Sequence, residues 1–210
     1  NTLILFLSDN GACAEWDPNG FDGKSWPDDV LHEGGSLATM GGPSSYMSYG
    51  SGWANAGTTP WRLYKHYTHE GGISTPFIAH WPAVMSRKGE IDGRVAHIVD
   101  IMPTLAEIAG AAYPGRAKGH DLPRPEGQSL LPALRGEPAE PRRLFFEHEG
   151  NRAVRDGRWK LVARKGRPWE LYDIDADRSE LHDLATSQPD RVASLAKLWD
   201  EWAARCHVER

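Results

Sequence analysis

Residues 3–7, Leu-Ile-Leu-Phe-Leu, form an unbroken apolar run that stops at Ser8-Asp9-Asn10-Gly11. A run this short and this apolar predicts a strand buried on both faces, the pattern of a parallel sheet flanked by helices. Polar residues directly after such a strand lie at its carboxyl end, where open α/β sheets gather their ligands. A second apolar run, Phe77 to Trp81, is bounded by Pro76 and Pro82 and predicts another strand. Between the two, residues 11–60 are rich in Gly, Ser, Pro and Trp and predict a long loop. Loops of that length inside a domain are usually functional.

Helical spacing then takes over. Ile101, Met102, Leu105, Ile108 and Ala109 recur on one face, with Asp100 at the N-cap and Gly110 at the exit. Pro103 falls in the first turn, where its missing N–H does little harm. Residues 113–143, rich in Pro, Gly and Arg, predict a surface connection. Four short strands follow, at Leu144–Glu147, Arg152–Arg155, Arg158–Ala163 and Trp169–Asp173, with Asp156-Gly157 as a hairpin turn. From about Pro189 a final helix puts Val192, Leu195, Ala196, Trp199, Trp202, Ala203 and Cys206 on one stripe. The division this predicts is an α/β domain over 1–142 and an antiparallel subdomain with one packed helix over 143–210. Two strands and one helix cannot complete a sheet covered on both faces, so the pattern predicts further sheet-forming sequence upstream.

Composition narrows the functions. Among 210 residues, a formal net charge of −5 argues against a nucleic-acid partner, which would demand a basic patch. No apolar run approaches the ~20 residues that span a bilayer. Cys13 and Cys206 are far apart and lack metal-ligand spacing, so both are expected as free thiols, Cys206 within the core stripe.

Asp9 and Asn10 pair a carboxylate with an amide oxygen at a strand end, donors suited to a hard cation such as Ca²⁺ or Mg²⁺, although Asp-Asn-Gly is also an ordinary turn. Lys65 precedes Glu70-Gly71-Gly72-Ile73-Ser74-Thr75-Pro76. Its ammonium suits a sulfate or phosphate oxygen or a leaving-group anion, and the glycines let backbone pass close to a site.

The ordered pair, Ser-Asp-Asn-Gly after a strand and then Lys-x-x-x-x-Glu-Gly-Gly-Ile-x-x-Pro before another, resembles the formylglycine-dependent sulfatases of the alkaline-phosphatase superfamily. The resemblance continues through Val99-Asp100-Ile101-Met102-Pro103-Thr104-Leu105, Gly127-Gln128-Ser129-Leu130-Leu131 and Glu170-Leu171-Tyr172-Asp173, with Glu180 and Asp183-Leu184 beyond. Arylsulfatase-like members also share Tyr49–Asn55 and Glu147-His148-Glu149-Gly150-Asn151-Arg152. The fold this implies is part of an α/β sandwich of the sulfatase type plus a small C-terminal antiparallel sheet with one packed helix.

The resemblance implies a sulfuric ester hydrolase in which Asp9 and Asn10 bind one divalent cation, usually calcium, and Lys65 contacts the sulfate. It implies a small-molecule sulfate ester or a sulfated carbohydrate as substrate, and a periplasmic or secreted location. His69 beside Glu70 and His148 beside Glu149 are candidate substrate contacts, with structural roles as their alternatives; His66 and His97 carry no motif. The nucleophile, a Cys or Ser in C/S-x-P-x-R that is oxidised to formylglycine, follows neither cysteine. Ser187-Gln188-Pro189-Asp190-Arg191 has the bare pattern but opens the final helix and lacks the following Thr-Gly. The nucleophile and further metal ligands are therefore expected in a missing N-terminal part of the same protein, and residues 1–210 alone are expected to be inactive. A phosphonate or phosphodiester hydrolase of the same superfamily, or a binding domain that keeps the metal site without catalysis, remain the alternatives. His32-Glu33-Gly34-Gly35 echoes His69–Gly72 without establishing a repeat.

Overall fold

The computed structural model describes residues 1–15, 38, 42, 48, 50–138 and 141–209. Tyr49, the His32–Gly35 echo and most of the expected long loop lie outside the described residues. In chain order the elements are β1 (Ile4–Leu7), α1 (Gly50–Gly57), α2 (Glu70–Ile73), β2 (Phe77–His80), a 3-10 turn (Ile98–Asp100), α3 (Ile101–Ile108), β3 (Arg116–Ala117), β4 (His120–Asp121), α4 (Leu131–Leu134), β5 (Arg143–His148), β6 (Asn151–Asp156), β7 (Trp159–Ala163), β8 (Glu170–Asp173) and α5 (Pro189–Arg205). They form two compact units: residues 1–9 with 76–142, and residues 10–75 with 143–210. This differs from the expected division at 142/143, because residues 10–75 pack with the C-terminal sheet.

In the first unit β1 pairs antiparallel with β2, from Ile4↔His80 to Leu7↔Phe77. The expected parallel strand buried on both faces is not what forms among the described residues. Ile4, Phe6 and Ile78 share one face of this ribbon, and Phe6 is 61% exposed. The apolar run has the composition of a central strand, but no described element covers that face.

The 3-10 turn and α3 organise the rest of this unit through two polar side chains. Asp100 precedes α3, yet its carboxylate does not cap that helix; it accepts from the backbone N–H groups of His97 at 2.7 Å and Gln128 at 2.9 Å, and pairs with Arg142. Thr104 accepts from the Leu130 N–H at 2.8 Å. A Cβ on Gly127 would lie 2.0 Å from the Val99 carbonyl oxygen, so only glycine allows this approach. The Val-Asp-Ile-Met-Pro-Thr-Leu and Gly-Gln-Ser-Leu-Leu segments are thus two halves of one buried junction. Within the expected surface connection, α4 buries Leu131 and Leu134, a helical turn too short to show as a periodicity.

In the second unit β5-β6-β7-β8 form the expected antiparallel meander, and α5 packs on one face. Val154, Leu161 and Leu171 meet Leu195, Trp199 and Ala203, which recur every four residues along α5. Trp199 Nε1 also donates to the Phe146 carbonyl at 3.0 Å, so the indole's polar edge is satisfied within the core. Cys206 departs from expectation: the helix ends at Arg205 and the thiol is exposed, as the stripe has already ended at Ala203. On the opposite face the pairings Ala153↔Val162, Arg155↔Lys160, Lys160↔Tyr172 and Val162↔Glu170 line up a mixed polar and apolar surface.

Candidate functional site

Within the second unit the chain leaving Asn10 meets the Lys65 segment, while Asp9 is the last residue of the first unit's N-terminal piece. Gly11 N–H donates to the Gly72 carbonyl at 2.9 Å, and Lys65 N–H donates to the Ala12 carbonyl at 3.0 Å. Glycine makes this possible. A Cβ on Gly11 would stand 1.9 Å from the Gly71 carbonyl oxygen, and one on Gly71 equally close to that of Leu63. Lys65 is thereby fixed beside the chain leaving Asn10, its ammonium 3.8 Å from Glu15 and its side chain 34% exposed. Asp9 is exposed and Asn10 half-buried. Glu15 also accepts from the Cys13 thiol at 2.8 Å; burial, then that hydrogen bond, push the thiol up, so it stays protonated.

Glu70 turns away from any solvent-facing site. Its carboxylate is bound by Lys160 Nζ at 2.9 Å and Arg178 Nε at 3.2 Å. Lys160 reaches Glu180 as well, at 2.8 Å, and Glu180 accepts from the Glu70 N–H at 2.9 Å. Lys160 and both carboxylates are buried. Burial alone pushes the Glu70 carboxyl up, but the charge and hydrogen bond of Lys160, with Arg155 and Arg178, outweigh it and hold it below the usual carboxylate range. Beside this cluster Glu170 accepts from Arg62 and from the Tyr172 hydroxyl, both at 2.6 Å. Burial raises the Glu170 carboxyl too, but hydrogen bonds from His69, Tyr172 and Arg62 draw it well below the carboxylate range.

Both carboxyls are lower in the folded state than the ~4.3 of an unfolded glutamate. Their contribution to stability is complete above that value and is lost as pH falls through the folded values. Thermal stability is therefore expected to hold from pH 7 to about 5 and to decline below about 4.5. Melting curves across that range test this, and Glu170→Gln should flatten the acid limb; an unchanged limb in that variant contradicts the assignment.

His69 lies away from solvent. Its side chain is 0% exposed and its Nε2 lies 3.5 Å from Glu170, inside the ionic layer against the sheet. His148 is the opposite case. It ends β5, is 53% exposed, and stacks on His66 with ring centroids 5.5 Å apart. Glu149 joins them, and the ligand atoms of these three side chains lie within 4.8 Å of one another. His66 carried no motif, so its place here escaped the sequence. Lys160, Arg62 and Arg178 were missed as well; the available signal was a lysine at an inward position of a strand. Ser187 donates to the Leu184 carbonyl and Pro189 begins α5, so the C/S-x-P-x-R look-alike is part of a helix start.

Residues 1–111 match the family described as Sulfatase, and residues 60–204 that described as N-sulphoglucosamine sulphohydrolase, C-terminal. The chain is 34% identical to an uncharacterized sulfatase of Schizosaccharomyces pombe, over 99% of this chain and 39% of that protein. It is 38% identical to an arylsulfatase of Klebsiella aerogenes, over 52% of this chain and 23% of that protein. The crystal structure of Ps i-CgsB superposes with a TM-score of 0.65 at 24% identity, covering 97% of this chain and 36% of that one, a likeness of fold. The chain thus spans about two fifths or less of the length of these relatives. Among the described residues, no helix is long and apolar enough to cross a membrane. With both of its halves matched and its motif segments joined as described, the chain belongs to the sulfatase family.

Proposed function

We propose that the protein carrying this chain hydrolyses sulfate esters, with Asp9 and Asn10 as metal ligands and Lys65 as the residue that contacts the sulfate. The reading is carried by one observation: the backbone of Lys65 is bonded to the segment that leaves Asn10, through Ala12, at 3.0 Å. A carboxylate and an amide oxygen fit a hard cation, and Ca²⁺ is the ion proposed; it takes 6–8 oxygens, so residues outside this pair complete the set. Bound there, the ion would polarise a sulfate oxygen as a Lewis acid.

Lys65 supplies a positive charge, its ammonium 3.8 Å from Glu15. It can turn to the bridging or a terminal oxygen as negative charge develops on cleavage. Glu70, His69, Lys160 and Glu170 work beneath it, holding residues 62–75 against the sheet so that Lys65 is presented from a fixed backbone. The nucleophile, a formylglycine in this reading, comes from sequence outside residues 1–210. A sulfated carbohydrate or aryl sulfate is the proposed substrate class, and a periplasmic or secreted location belongs to the same proposal.

The test is turnover by the full-length protein. Hydrolysis of an aryl sulfate or a sulfated saccharide is expected with Ca²⁺, and loss of it after chelation or in Asp9→Ala. Phosphonate turnover exceeding sulfate turnover, or activity indifferent to chelation and to Asp9→Ala, would remove the reading.

A further inference from the structure

We propose that His66, His148 and Glu149 form a second metal site, selective for a divalent transition ion of the zinc class. The site stands apart from the Asp9-Asn10 pair in donor chemistry and does not rest on the sulfate-ester reading. Two imidazoles and one carboxylate suit zinc and its neighbours, whereas hard ions such as Ca²⁺ prefer all-oxygen sets.

The distances fit. A tetrahedral ion with bonds of about 2.0–2.1 Å requires ligand atoms about 3.3–3.4 Å apart. His66 Nδ1 lies 3.0 Å from Glu149 Oε2, and His148 Nε2 lies 3.6 Å from the same oxygen. All three donor atoms lie within 4.8 Å of one another, so small side-chain rotations enclose an ion. Coordination through His66 Nδ1 uses its lone pair and leaves the ring proton on Nε2, replacing the present contact with Glu149. His66 is 9% exposed and forms the inner wall, while His148 and Glu149 face solvent and leave a fourth position for water or an anionic ligand.

The backbone holds the donors in place. Asn151, itself buried, donates through Nδ2 to the carbonyls of His66 at 2.9 Å and His148 at 3.1 Å. Its Oδ1 accepts from the Lys165 N–H at 3.2 Å, which fixes the amide's orientation. Glu149 and Gly150 form the two-residue turn between β5 and β6, with φ of 54° and 86°. Positive φ at both positions is what a tight hairpin turn requires, and it presents Glu149 between the two histidines. One asparagine therefore ties together the two chain segments, 82 residues apart by number (148 − 66), that supply the imidazoles.

The full-length protein, stripped of metal and then held in excess Ca²⁺, is titrated with Zn²⁺ by equilibrium dialysis with metal analysis. One zinc per chain is expected at this site, and the Co²⁺-substituted protein is expected to show visible absorption of a nitrogen-ligated, four- or five-coordinate ion. His148→Ala and Glu149→Gln alter exposed side chains and should leave the circular dichroism unchanged. Each should weaken zinc binding by more than the 10- to 100-fold typical of losing an outer partner. Asp9→Ala should leave it unchanged. Absence of bound zinc, equal affinity in both site variants, or loss of zinc in Asp9→Ala with retention in His148→Ala would each overturn the proposal.

Discussion

Replacing Lys160 with methionine is expected to lower the unfolding free energy of the second unit by about 3–5 kcal/mol, the usual result of removing one partner from a buried ionic cluster. Lys160 meets Glu70 at 2.9 Å and Glu180 at 2.8 Å. Both acids are buried; without the ammonium Glu70 keeps Arg178 at 3.2 Å, while Glu180 loses the cation at 2.8 Å. Methionine keeps most of the volume, so the loss reports charge more than packing. At about 2–4 °C per kcal/mol for a chain of this size, the melting temperature should fall by roughly 10 °C. Denaturant unfolding followed by tryptophan fluorescence reads the right unit, since Trp169, Trp199 and Trp202 all pack in its core. Adding Glu70→Gln and Glu180→Gln should return part of the loss, because neutral amides remain buried at lower cost than carboxylates that have lost their shared ammonium. A single-variant loss below about 1 kcal/mol, the range of a surface pair, would show that the cluster is solvated.

That prediction concerns residues the sequence showed only in part. The C-terminal meander was legible because its strands are short and rich in β-formers and Asp156-Gly157 signals a hairpin; the turn itself falls one residue later, at Gly157-Arg158 between the paired Asp156 and Trp159, with Gly157 at φ of 58°. The stripe on α5 was legible for the same kind of reason, a long amphipathic period. Glu70 was visible only as a letter in a motif near a lysine. Its role depends on Lys160, 90 residues away, and sequence order carries no measure of such pairings. An inward lysine between Trp159 and Leu161 was the one local sign that carboxylates must cover that face. For α1 the local signs pointed the other way. Gly50, Gly52 and Gly57 oppose a helix by propensity, and burial of Ala54 overrides them. β1 failed for a third reason: its apolar run reports how buried a strand should be, but not which neighbours bury it.

Replacing Lys65 with alanine is expected to lower kcat for sulfate-ester hydrolysis by the full-length protein about 10²- to 10³-fold, the loss typical of one preorganised charge at a developing anion. The same change should barely move stability. Lys65 is one-third exposed and its ion pair with Glu15 is long at 3.8 Å, a contact worth about 0–1 kcal/mol. Large loss of turnover with a small change in melting temperature is the signature that separates this lysine from Lys160, where fold and activity should fall together. The split between constants carries further information. If Lys65 acts as charge develops on the departing oxygen, kcat and kcat/KM fall by similar factors; if it only holds the ground-state sulfate, KM rises and kcat stays. Lys65→Arg keeps the charge but replaces a compact ammonium with a planar fork, so it should recover only part of the rate. Glu15→Gln gives a further check, since releasing the ammonium from its carboxylate should not lower turnover. Activity of Lys65→Ala within tenfold of the parent protein would take the lysine out of the reaction and leave it as a surface residue beside the segment that leaves Asn10.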